Sequence, residues 1–291
     1  MGAREKLRPK KSKEKKEGKI HSKIKKLQEK LKWIDPFTYT DMLLEKIGQK
    51  DNKLVAWPLE VLVAFVTAWL IYFLLGLALN TKSPAVVVMS GSMIPTFYRG
   101  DIMVLQGVSY ESLVVPEVIL NENIAGRKLS DYAVTYCSVN SIADLVECRV
   151  LLQNPKVKIT NVQTKKVCFK SIAKCVDINK EGDIVVYYSD TLHEPIIHRA
   201  VVKIRAKDGN FVLTKGDNNA TNFFLDQDAG IASSAVPVER LDGKAIFMIP
   251  YLGYVKLFLM DDLPCILASY IRYGDYKICT GYWSAGRLGI G

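Results

Sequence analysis

Nineteen consecutive residues, Val61 to Leu79, carry no charge. As a helix they reach roughly 28 Å, enough to cross a hydrocarbon core. Their apolar positions run all the way round, leaving no polar face for water, unlike a helix on the surface of a globular domain. The pattern predicts a single transmembrane helix over 57–79. Trp57 and Pro58 stand at its start, and Glu60 sits at the headgroup edge. A cleaved signal peptide is disfavoured, because its apolar run is usually about 7–15 residues and its basic region shorter. Before the span, Ile20, Ile24, Leu27, Leu31 and Ile34 recur at helical spacing between lysines. A basic amphipathic helix on anionic lipid and a solvated tail fit this equally. Trp33 to Ile47 is more apolar and reads as interfacial.

Beyond the span the period changes from helical to alternating. Ala85–Met89, Asp101–Leu105 and Asp183–Tyr188 are rich in β-branched and apolar residues, each beside a turn signal. Pro195–Ile204 and Phe211–Thr214 flank Asp208-Gly209, a hairpin signal. Ala245 to Leu259 is apolar but broken by Pro250 and Gly253. The expected fold is mainly β, carried on one N-terminal transmembrane helix. Residues 108–180 read as an insertion with short β-type runs, Tyr132–Val139, Cys148–Leu152 and Lys156–Val162. The expected organisation is a basic cytoplasmic tail (1–56), the span (57–79), a catalytic β domain in two pieces (80–107 and 181–260), the cysteine-containing insertion (108–180) and a C-terminal tail (261–291). In that tail Arg272 and Asp275 argue against a second span.

Charge changes the picture in one respect. Residues 1–50 hold 16 Lys/Arg against 7 Asp/Glu, nearly all of the net charge of +10. The globular part is therefore not basic, which removes the main support for nucleic acid as a partner. Lysines on the first side of the span keep residues 1–56 cytoplasmic and put 80–291 on the far side. All six cysteines lie there, where disulfides form, and six cysteines allow fifteen pairings. None has C-x-x-C spacing, so no metal is expected, and no cofactor.

The candidate chemistry begins with Ser92 on the turn Ser90-Gly91-Ser92-Met93-Ile94-Pro95-Thr96. A serine hydroxyl needs a base, and His198, in an alternating stretch, has the ring suited to it near neutral pH. Lys215 competes for that role but sits on a polar turn, where a lysine keeps its proton. An acid beside the imidazole would fix its tautomer. Asp217, in Lys215-Gly216-Asp217, is the first choice and Asp226 the second. Asn219-Ala220-Thr221 also fits an N-glycosylation sequon.

Taken in order, these blocks resemble the type I signal peptidases. The serine box followed by Arg99-Gly100-Asp101 is similar to their nucleophile box. His198-Arg199 stands where the bacterial branch has a lysine and arginine, which marks the archaeal and endoplasmic-reticulum (Ser–His) branch. Gly182-Asp183, Pro195 to Arg199, Leu213 to Asn219 and Pro250 to Gly253 resemble that branch in the same order. The resemblance implies Ser92 as nucleophile, His198 as general base and Ser90 as an oxyanion-hole hydroxyl. It implies a membrane-bound serine endopeptidase that removes signal peptides from secretory precursors at the outer surface of a bilayer. The family usually carries another Asp just past Asn-Asn, whereas this chain reads Asn222-Phe223. The alternatives are a self-cleaving repressor-type peptidase with a lysine base, and a catalytically silent accessory protein of the same fold. Partner subunits are left open. The long insertion and the single span favour a prokaryotic plasma membrane over the endoplasmic reticulum.

Overall fold

The computed structural model describes residues 35–139, 145–153 and 162–273. The amphipathic repeat of Ile20 to Ile34 and most of Lys156–Val162 lie outside them. Two compact units divide the chain at Leu75/Gly76. In the first, helix α1 (Pro36–Lys46) starts where Asp35 accepts the amide of Phe37, with proline in the first turn, where its missing N–H costs nothing. Helix α2 (Lys53–Ala78) starts at Asn52, whose side chain accepts the amide of Leu54. It is 26 residues long, none of them buried. Among the described residues it alone is long and apolar enough to cross a membrane. It begins four residues before the expected span, at the Asn52 cap, and Pro58 lies within its first turns.

The second unit is mainly β. Its strands in chain order are β1 (Ala85–Val87), β2 (Ile102–Gln106), β3 (Glu117–Ile119), β4 (Ala133–Val139), β5 (Val146–Glu147), β6 (Val162–Phe169), β7 (Lys174–Asp177), β8 (Ile184–Tyr188), β9 (Pro195–Ala206), β10 (Gly209–Lys215), β11 (Val236–Pro237) and β12 (Leu241–Ile249). The larger sheet runs β1-β2-β12-β8-β9-β10-β11, and β3 pairs in parallel with the far half of β9. Strand β9 is its spine. One edge is shared by β8 and β3, and the other pairs with β10. The smaller sheet, β5-β4-β6-β7, comes from the insertion. It stacks on the larger one through a shared core in which Tyr132, Val167 and Phe169 meet Val202, Ile204 and Leu213. A second core holds Val88, Met93, Phe97, Met103, Leu105 and Val186, beneath the serine turn.

Two expectations about local structure change. Cys148–Leu152, read as a β-type run, is a helix, Cys148–Gln153. Its buried residues, Cys148 and Leu151, are three apart and so share one helical face, which five residues of sequence do not reveal. Of the fifteen pairings, the structure selects Cys137–Cys148 and Cys168–Cys175. Cys279 lies outside the described residues.

Candidate active site

In a strand, neighbouring side chains point to opposite faces, and residues paired across strands share a face. His198 and Arg199 therefore look in opposite directions. Ile196 pairs with Tyr187, which puts Tyr187 on the face of His198. Between β9 and β10 the register shifts at Leu213/Thr214, so that Thr214 pairs with Ala200 and Lys215 with Arg199. Ala200 shares the face of His198, so this bulge turns Thr214 toward the imidazole. In unshifted register Thr214 would oppose Val201 and face the other way.

On the histidine face lies Asp226, wholly buried at the start of a one-turn helix, α3 (Asp226–Ala229). Its Oδ2 is 2.7 Å from His198 Nδ1 and accepts hydrogen bonds from Thr214 Oγ1 at 2.6 Å and Tyr187 Oη at 2.9 Å. Burial works to raise this carboxyl's pKa, but the imidazole and the two hydroxyls outweigh it and hold it below the ordinary range. Burial beside Asp226 pushes the Tyr187 phenol far up, so it stays a donor. His198 itself is buried, and Nδ1 is committed to the acid, leaving Nε2 for a reacting group.

Asp217 lies on the other face. Arg199 donates Nε to Oδ1 at 2.8 Å and Nη2 to Oδ2 at 2.6 Å, while its Nη1 reaches the Gly182 carbonyl at 2.6 Å. Thr96 Oγ1 also donates to Asp217 Oδ2. Burial raises the Asp217 pKa, but Arg199 and Thr96 together lower it further. Lys215 is buried too. Its Nζ donates to the Gly216 carbonyl at 2.9 Å and to Asn219 Oδ1 at 3.2 Å. Desolvation brings its pKa down to about 8. The solvated polar turn expected for this lysine is thus corrected: β10 carries it into the interior. It does not line the cavity that holds Ser92. The Asn219 amide of the glycosylation sequon is the group that Lys215 holds.

The serine turn is pinned from below and from the side. Met93 and Phe97 are buried in the core. Asn218 donates its backbone N–H to the Ser92 carbonyl at 2.8 Å and its side-chain amide to the Gly91 carbonyl at 2.9 Å. Gly216 permits this approach, since a Cβ there would fall 2.8 Å from the Ser92 carbonyl oxygen. Ser90 Oγ and Ser92 Oγ are 3.2 Å apart. Ser92 makes no direct hydrogen bond to His198, but the two line one cavity of about 680 Å³ with Ser90. Its walls are mostly apolar, from β1 on one side and from Ile196, Ile197 and Leu192 on the other. Strand β1 ends the sheet, so its outer edge pairs with no strand among the described residues.

Of the expected residues, Ser90, Ser92 and His198 share a cavity and Asp226 adjoins the imidazole, while Asp217 is on the opposite face. Sequence reasoning missed Tyr187, Thr214 and Asn218. Tyr187 reads as core within an apolar run, and Asn218 as a turn former. Among the described residues no group of His, Cys, Asp and Glu is arranged to hold a metal.

A mainly β domain that follows one helix long and apolar enough to cross a membrane, with a serine turn and a buried His–Asp pair on one cavity, matches the arrangement expected from the resemblance to signal peptidases. The relatives specify the branch. The chain is 26% identical over 220 residues (74% of this chain, 86% of the relative) to the signal peptidase complex catalytic subunit SEC11 of Scheffersomyces stipitis. It is 27% identical over 215 residues (73% and 85%) to that of Sclerotinia sclerotiorum. It is 26% identical over 231 residues (78% and 92%) to that of Schizosaccharomyces pombe. No protein-family profile matches the chain. Its similarity is thus to catalytic subunits of the signal peptidase complex, which supports an enzyme, a signal peptidase.

The relatives overturn one expectation. They are all eukaryotic, fungal proteins, which points to the endoplasmic reticulum and not to a prokaryotic plasma membrane. The long insertion and the single span therefore did not mark the compartment here. Disulfides are equally at home in the lumen of the reticulum.

Proposed function

We propose that the chain is the catalytic subunit of a signal peptidase complex and removes signal peptides at the lumenal face of the endoplasmic reticulum membrane. Ser92 is the nucleophile, His198 the base and Asp226 the acid that orients the base. The partner subunits are those implied by the relatives, which are named as parts of a complex. The precursor adds a strand to the free edge of β1, and its small side chains enter the apolar cavity. Ser92 Oγ attacks the scissile carbonyl while His198 Nε2 takes its proton. The Ser92 N–H and the Ser90 hydroxyl, within reach of the attacking atom, stabilise the oxyanion. The imidazolium, stabilised by Asp226, returns the proton to the leaving amine, and water then releases the acyl group by the reverse path. Substrate draws Ser92 from Ser90 toward Nε2, since such bonds commonly tighten in the Michaelis complex.

The observation that carries this reading is the buried His198–Asp226 pair opening onto the cavity of Ser92. The test is cleavage of a signal-peptide-bearing precursor by the chain purified in detergent together with its partner subunits. Ser92→Ala and His198→Ala should each abolish cleavage with the fold intact. Retention of more than about 1% of the rate by either variant would sink the assignment, since such groups contribute far more than a hundredfold.

A further inference from the structure

We propose that the cysteine-bearing insertion is the rear support of the orienting acid, with Thr135 and the Cys137–Cys148 bridge as positioning residues for Asp226. The inference rests on the reading that Asp226 orients His198.

The segment that delivers Asp226 is held by the insertion at almost every residue. The Phe223 carbonyl accepts both the Thr164 N–H, at 3.0 Å, and the Thr164 hydroxyl, at 2.9 Å. The Phe224 ring is buried in a cluster with Cys137, Cys148, Leu151 and Val162, all from the insertion. Leu225 is buried in the core that contains Leu129, Tyr132 and Phe169. Asp228 Oδ2 accepts the Thr135 hydroxyl at 2.7 Å. The bridge itself touches this clamp, with Cys137 Sγ 3.6 Å and Cys148 Sγ 3.8 Å from Thr164 Oγ1. The larger sheet binds the Asp226 carboxylate, while the smaller one holds the Phe223 backbone before it and the Asp228 side chain after it. A hydrogen bond of 2.7 Å between acid and imidazole tolerates little drift in that backbone. A displacement near 1 Å from outside the reacting groups costs a rate up to about a hundredfold. The second bridge, Cys168–Cys175, closes the β6–β7 hairpin at register pair 168/175, and neither of its cysteines belongs to the cluster around Phe224.

The experiment uses the full-length chain purified with its partner subunits, a signal-peptide precursor and separate kcat and KM values. Thr135→Val and the pair Cys137→Ser/Cys148→Ser should lower kcat about tenfold with KM unchanged within twofold. Thr135→Ser, which keeps the hydroxyl, should restore the wild-type kcat, and Cys168→Ser/Cys175→Ser should match wild type. Should the bridge variant not fold, the valine–serine pair at 135 decides, because it differs by one hydroxyl. Wild-type kcat in Thr135→Val, or equal losses in the valine and serine variants, overturns the inference while leaving the peptidase reading intact. A wild-type complex that cleaves nothing overturns both, and an Asp226→Asn complex with wild-type kcat removes the premise.

Discussion

The two faces of one strand pair hold two buried carboxylates of opposite use. Asp217 faces a permanent cation, Arg199, through a bidentate contact, and uses its remaining capacity on Thr96. Asp226 faces an imidazole and two neutral hydroxyls, and among the described residues its Oδ1 meets no hydrogen-bond partner. Both carboxyls are held below the ordinary range, so depressed acidity does not tell them apart. Their partners do. A carboxylate locked to a guanidinium has no change of charge to respond to, and serves to fix the loop under the nucleophile. A carboxylate whose neighbour gains and loses a proton during turnover can stabilise the charged form when it appears. The dipeptide His198-Arg199 sorts the two acids, one to each face.

The sharpest way to break this contrast is to neutralise each acid in turn. Asp226→Asn should lower kcat by about 10³–10⁴-fold, because an amide favours the wrong imidazole tautomer, while the fold survives. A loss under tenfold would mean a serine–histidine dyad without an acid. Asp217→Asn should reverse the pattern. It leaves Arg199 buried without its counter-charge, at a cost of about 3–5 kcal/mol in urea unfolding, with kcat per folded molecule changed less than tenfold. The sign of its pH dependence follows from its lowered folded pKa. The stabilisation is full above the ordinary carboxylate pKa of about 3.9 and is lost as pH falls through the folded value. The asparagine variant should lack that acid slope.

A smaller effect tests the arginine face alone. Lys215 has a folded pKa of about 8 against an ordinary 10.5. Between those values the unfolded chain holds more protons, so stability should rise with pH from about 8 to 10.5, by at most about 3 kcal/mol. Lys215→Met should remove the rise, seen as unfolding curves for the variant that share one midpoint at pH 7.5 and 10. An unchanged slope would mean that the lysine is solvated after all.

The strands were legible because burial on a sheet leaves a period of two, and the hairpin at Asp208-Gly209 because a tight turn has narrow residue requirements. The serine turn and the histidine strand were legible through motif order. The choice between the acids was not. Lys-Gly-Asp resembles a family block, yet a single bulge beside Thr214 decides which face each residue reaches, and a bulge has no signature in composition. Asp226 follows Asn222-Phe223-Phe224-Leu225, where the aromatic pair reads as ordinary core rather than as an anchor into a second sheet. Cellular location was illegible for a different reason, since neither the insertion nor the single span marked the compartment here.

The Cys137–Cys148 bridge also alters the topology of the covalent chain. Ser92 precedes both cysteines and His198 follows both. A protease nick anywhere between positions 137 and 148 would therefore put the attacking oxygen and the proton acceptor on separate polypeptides. One sulfur–sulfur link would keep those fragments a single molecule, so an enzyme clipped between the two cysteines would separate under denaturing conditions only when reductant is added.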